Sequence, residues 1–159
     1  DEIMKDRKKS TFIYEGLGLP VKLINVPMKK VFGEWFIDIN METLQRVILE
    51  AIVHKPISLT GEEIRYIRKY MEMSTKEFGE LFGVSHVAVV KWENSKNGIV
   101  PALELCIRLH VMNYLKVKDA AFRALYNELN LSKLSKSPKG KIQPIRVDVV
   151  SSEEFKIAL

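Results

Sequence analysis

The side chains that can do acid–base, nucleophilic or metal chemistry are few in this sequence, and they stand far apart. Histidines occur at 54, 86 and 110, the single cysteine at 106, and paired glutamates at 62–63 and 153–154. Catalysis by proton transfer needs titratable groups within hydrogen-bond reach of one reacting centre, and a zinc site needs clustered His, Cys or carboxylate ligands. No such constellation can be read here. Glu63 has a capping role, the other acids read as solvated, and His86 is isolated from other ligand types. Gly16-Leu17-Gly18 is too short to be a phosphate loop. One cysteine also rules out an intramolecular disulfide, and Cys106, near Leu105 and Leu109, is expected to be a small buried hydrophobe. The expectation is no enzyme, no cofactor and no metal.

A different chemistry is carried by STKEFGELFGVSHVAVVKWEN, residues 74–94, which has the layout of two short helices around a tight Gly-Val turn. A helix-turn-helix needs a small residue where its helices cross, a turn that bends sharply, and an apolar set that locks the second helix across the first. Gly79 sits at the crossing and Gly83 begins the turn. Phe78, Leu81, Phe82, Val84, Val89 and Trp92 form the expected locking set. The second helix also carries Val87 and Val90, which raises the question of how so apolar a helix reads DNA.

Elements on either side must position this motif. In LTGEEI, Thr60 as N-cap and Glu63 at the third helical position make a capping box. Ser74 and Ser85 cap the next two helices, Pro101 opens a fourth over ALELCIRLHVMNYL, and KDAAFRALYNEL supplies a fifth. Residues 58–130 therefore read as a compact helical domain. Upstream, residues 12–39 are rich in Val, Ile, Phe and Trp and broken by Gly and Pro, which predicts two or three short strands. METLQRVILEAIVHK follows as a helix with Asn40 as N-cap and Pro56 as its stop, so residues 1–57 form a small β-rich module. Downstream, residues 131–159 read as a basic linker and tail, in which IQPIRVDVV alternates weakly as a strand and SSEEFKIAL reads as a last helical turn.

Composition sets outer bounds. A chain of 159 residues that is 47% hydrophobic can build one core and a small second module. No run approaches the roughly 18 apolar residues of a membrane span, and DEIMKDRKKS lacks the apolar centre of a secretory signal. A cytoplasmic location without a membrane partner is expected. Net charge is +5, distributed as +1 over 1–57, +1 over 58–130 and +3 over 131–159. That balance permits polyanion binding without demanding it.

In sequence, TGEEIRYIRKYMEMSTKEFGELFGVSHVAVVKWEN resembles the phage-repressor, or Xre-type, helix-turn-helix family, and residues 58–130 match the family's arrangement throughout. The resemblance implies a mainly α protein: a five-helix, lambda-repressor-like domain with a small β-rich N-terminal module. It further implies that His86, Val87, Val90 and Lys91 face base edges, while Thr75, Ser85, Asn94 and Lys96 occupy phosphate-contacting positions. Lys91 can donate to guanine O6 or N7, His86 can donate or accept, and the Val87 methyls can meet a thymine methyl. Typical members have Ala in place of Gly79, a tolerable exchange, and Gly in place of Ser95. Asn94, Asn97 or Gly98 is then expected to supply the left-handed residue that ends the helix.

Residues 12–57, followed by this domain, resemble the MqsA-type antitoxins and related HigA-like regulators. There the β-rich module binds zinc through paired cysteines; here it has none, so packing of Tyr14, Val21, Leu23, Val31, Phe32, Trp35 and Phe36 must hold it together. The likeness implies a homodimer that binds a palindromic operator on double-stranded DNA, with half-sites about one helical turn apart. It also implies repression of its own operon at the nucleoid and neutralisation of a partner toxin, commonly an mRNA-cleaving enzyme. Residues 1–57 carry eight acidic against nine basic groups, which gives no electrostatic support to toxin binding. Trp35 and Phe36 are candidate apolar anchors for a partner, against the rival reading that both belong to the module's core. The alternative function is a stand-alone regulator whose N-terminal module binds a small ligand or another protein. Helices 101–115 and 118–129, with Leu125, Leu129 and Leu131, are candidates for dimerisation. Lys133, Lys136, Lys139 and Lys141 are candidates to track the DNA backbone.

Overall fold

A computed structural model describes residues 6–96, 98–116 and 144–158, with 120 and 124 as isolated positions. The chain divides into two units, Asp1–Ala51 together with Gln143–Leu159, and Ile52–Ile142.

The first unit is built on a five-stranded mixed sheet of β1 (Arg7–Tyr14), β2 (Val21–Val31), β3 (Glu34–Ile37), β4 (Ile145–Val149) and β5 (Phe155–Ala158). Strand β2 is long because it serves three partners. It pairs antiparallel with β1, antiparallel with β3 over Met28–Val31, and parallel with β4 over Val21–Ile24. A bulge interrupts β1–β2 between Ser10 and Phe12; beside it Asn25 takes φ 56° and donates its N–H to Thr11 Oγ1 at 3.1 Å. This extra residue shifts the alternation by one, so that Val21, Leu23 and Val26 are all buried on one face. Val147 and Val149 of β4 extend that face, and Leu44, Ile48 and Leu49 of the helix α1 (Met41–His54) complete the buried apolar set. Asn40 caps α1 as expected, accepting from Thr43 N at 3.0 Å. Its own N–H donates to Ser152 O at 2.8 Å.

The expectation of a mainly α fold is corrected by this sheet. The described residues form an α+β protein, because Ile145–Val149 and Phe155–Ala158 add two strands to the sheet begun at the N-terminus. Within SSEEFKIAL, Phe155–Ala158 form a strand rather than a helical turn, with Phe155 and Ile157 paired to Val149 and Val147. The expected packing set is also revised. Val21 and Leu23 are buried and Tyr14 and Trp35 half-buried, but Val31, Phe32 and Phe36 are exposed. Phe32 and Gly33 form a two-residue hairpin turn with φ 49° and 84°, the left-handed pair of a type I′ turn, which sets the Phe32 ring wholly in solvent.

In the second unit, α2 (Gly61–Tyr70), α3 (Thr75–Leu81), α4 (His86–Asn94) and α5 (Pro101–Tyr114) surround Ile64, Ile67, Phe78, Val89, Ile107, Val111 and Met112, all buried. Their starts follow the sequence signals. Thr60 Oγ1 accepts from Glu63 N at 3.2 Å while the Glu63 carboxylate accepts from Thr60 N at 2.8 Å. Ser74 and Ser85 cap α3 and α4 through Glu77 N and Ala88 N. Each such cap stabilises its helix by about 1 kcal/mol. Of the predicted fifth helix only positions 120 and 124 are described; its dimerisation leucines and the lysines of the basic linker lie outside the described residues. Leu81, expected in the locking set, is exposed, and so is Cys106. Among the described residues no helix is long and apolar enough to cross a membrane.

Candidate nucleic-acid interface

Helix α4 carries the expected base-reading residues on one side. His86 and Val90, and Val87 and Lys91, are four residues apart and so share a helix face. All four are exposed, Val87 at 49% and Val90 at 43%. On the opposite side Val89 is fully buried, Glu93 buried and Trp92 half-buried. Val89 thus lies inward and Val87 and Val90 outward, the division expected from the sequence.

Backbone approach holds α4 against its neighbours. A Cβ placed on Gly79 would come within 2.6 Å of Val84 O, and Val84 N donates to Gly79 O at 3.0 Å, so α3 and the turn are pressed together at this glycine. Gly61 meets the other end of α4, where a Cβ would stand 2.2 Å from Glu93 O. Between them Arg68 Nε donates to Glu93 Oε1 at 2.6 Å and its Nη1 to Met73 O at 3.0 Å, which ties α2 to the end of α4 and to the start of α3. Phe78 and Phe82 stack edge-on at 5.2 Å, and Phe82 meets the His110 ring at 5.8 Å, so His110 packs rather than waiting for a ligand.

The expected phosphate set is less uniform. Thr75 is the first residue of α3 and half-buried, Ser85 is exposed with its hydroxyl accepting at the helix cap, and Lys96 is exposed beyond α4. Asn94 is already engaged: its amide donates to Val90 O at 2.8 Å and accepts from Arg65 at 3.5 Å. Arg65 is thus brought to the end of α4, a cation that the motif reading passed over because it lies 29 residues away in the chain. Helix α4 ends with Ser95 extended at φ −75°, not with a left-handed residue. Gly98, at φ 74°, takes the left-handed conformation later, and Asn97 lies outside the described residues.

In the sheet unit, the two expected partner anchors fall on opposite faces because they are consecutive on β3. Trp35 is half-buried under the Lys8 ammonium, 4.3 Å from its ring centroid, with Lys30 at 5.9 Å. Phe36 is 47% exposed, and Phe32 at the hairpin tip was placed in the core by sequence when it is the most exposed aromatic ring of the described residues. Its signal was the Phe-Gly pair at a two-residue turn, where a ring has no neighbours to pack on. Among the described residues no three His, Cys, Asp or Glu side chains are grouped to hold a metal ion. No family model, no curated protein and no solved structure matches the chain.

Proposed function

We propose that this protein is a sequence-specific DNA-binding transcriptional regulator of Xre-type organisation, acting as a dimer on a palindromic operator in the cytoplasm at the nucleoid. The carrying observation is the exposed face of α4, where His86, Val87, Val90 and Lys91 stand clear while Val89 and Glu93 anchor the helix behind them. Apolar side chains on such a face suit thymine methyls, and Lys91 supplies one strong donor to guanine. Phosphate contacts come from Ser85, Thr75, Lys96 and Arg65, and set the register. With so few hydrogen-bonding groups per copy, tight binding needs two copies.

The test is selection of preferred duplexes from a random pool, followed by Lys91→Ala. Loss of about 1–3 kcal/mol on the selected duplex with little change on unrelated DNA is expected. An equal loss on all sequences would make Lys91 a phosphate contact and remove the guanine from the code.

A partner-binding role for the sheet unit, as in an antitoxin, is supported by the exposed rings of Phe32 and Phe36 near a hairpin tip. Aromatic anchors of this kind dominate protein interfaces. Co-expression with the product of an adjacent gene measures it: the wild-type chain restores growth, and Phe32→Ser with Phe36→Ser does not. An operon without an adjacent toxin-like reading frame would favour the stand-alone regulator instead.

A further inference from the structure

Strand alternation, followed through the registers, places Arg7, Lys9, Lys22, Lys29, Arg146 and Lys156 on the face of the sheet opposite the buried Val21, Leu23, Val26, Val147 and Val149. Against these six cations the same face carries three carboxylates, Glu34 and Asp148 on its strands and Asp38 just past β3. A sheet with one solvated face is ordinary, and lysines on edge strands guard against aggregation. That accounts for β1 and β5. It does not account for the interior strands, where Lys22 and Lys29 lie on β2 and Arg146 on β4.

Two like-charge pairs make the point sharper. Arg7 is opposite Lys29, and Lys22 is opposite Arg146. Neighbouring strands run about 4.8 Å apart, and like charges facing each other across that gap destabilise a sheet. Lys29 has an exposed partner in Asp38 at 3.7 Å; Arg7, Lys9, Lys22, Arg146 and Lys156 have no carboxylate within ion-pair distance among the described residues. Repulsion among cations on such a solvent-exposed face is relieved by a polyanion.

We propose that this outer sheet face binds the phosphate backbone of duplex DNA without reading its sequence. The proposal rests on the DNA-binding reading above and assigns the sheet unit a share of the electrostatic affinity. Each neutralised phosphate steepens the fall of log K with log salt by about 0.9.

The full-length chain is titrated on a mixed-sequence duplex and on the pool-selected duplex across a range of salt. Replacing Lys22, Arg146 and Lys156 together by Gln is expected to flatten the salt slope by up to about 2.7 and to weaken both duplexes alike. Asp148→Asn removes an anion from the middle of the face and is expected to tighten both, an outcome that structural damage would not produce. Lys91→Ala, by contrast, should reduce the preference for the selected duplex and change the slope by no more than about one contact. An unchanged slope and affinity in the triple variant overturns the sheet proposal even when the wild type prefers the selected duplex. A flattened slope with no sequence preference in the wild type sustains it and overturns the reading of α4. Undiminished DNA binding with loss of an acidic co-purifying protein gives the face to that protein and overturns it. Failure of the wild type to bind any duplex overturns both.

Discussion

Arg108 shows how one residue decides what a helix presents. The expected buried side of α5 is that of Cys106, near Leu105 and Leu109. In the fold Glu104 and Arg108 are completely buried, and with Ile107, Val111 and Met112 they form the inward stripe. Arg108 donates to Val53 O at 2.7 Å, Lys55 O at 2.6 Å and Ile57 O at 2.7 Å, and to Glu104 at 2.9 Å; Glu104 accepts from Leu59 N at 2.6 Å. The last turn of α1 and the chain between α1 and α2 thus find backbone partners in a guanidinium, with the Lys55–Glu63 ion pair beside it. Arg108→Met strands three carbonyls and a buried carboxylate, and a loss of about 3–5 kcal/mol in urea unfolding is expected. Adding Glu104→Met should recover part of that loss; a further loss would mean the pair stabilises beyond mutual neutralisation. Tyr66 offers a pH readout in the same unit. Burial, with Tyr70 adding to it, raises its phenol above the ordinary value of 10.0. The folded chain then keeps a proton that the unfolded chain releases, so this group's contribution is intact below about pH 10 and lost as pH rises past it. Stability above pH 10 should fall more steeply for the wild type than for Tyr66→Phe; equal slopes would show that the phenol titrates alike in both states.

Among the elements, those whose ends carry caps were legible. Thr60, Ser74, Ser85, Asn40 and Pro101 start helices where their chemistry says, because capping is local and acts within one turn of chain. What was not legible is how closely those helices meet. Gly79 reads as an exchangeable small residue, yet the backbone of Val84 leaves no room for a methyl group, and Gly61 reads only as part of a capping box. Ala at position 79 gains up to about 1 kcal/mol of helix propensity. Forcing the turn off α3 costs about 1–3 kcal/mol, so a net loss is expected. The measurement is paired: Gly79→Ala should lower both the unfolding midpoint and affinity for the selected duplex, because α4 is displaced along with the turn. Gly61→Ala, against the nearer carbonyl of Glu93, should lower the midpoint further. A stabilised Gly79→Ala would show that the turn yields easily.

At the scale of the molecule, the part hidden from sequence reading is the sheet, because its strands come from opposite ends of the chain. Val147 and Leu23 are register partners across more than a hundred intervening residues, and neither local propensity nor periodicity carries that information. Segments 12–39 and 142–150 each read as strands, but a strand pattern does not name its partner, so the N-terminal region looked like a module complete in itself. The register implies otherwise. Without β4 and β5, Val21–Ile24 loses its parallel partner on one edge, and the buried set loses Val147 and Val149, each worth about 1.5–3 kcal/mol when fully buried. Asn40 would also lose the Ser152 carbonyl that its N–H meets. Such losses are comparable with the whole stability of a small folding unit, about 5–15 kcal/mol. A chain ending at Ile142 should therefore be cut rapidly by proteases within residues 7–37 while α2–α5 stay protected, since their core of Ile64, Ile67, Phe78, Val89 and Ile107 is untouched. Equal resistance of residues 7–37 with and without the C-terminal strands would mean that β1, β2 and β3 with α1 fold as a self-sufficient module.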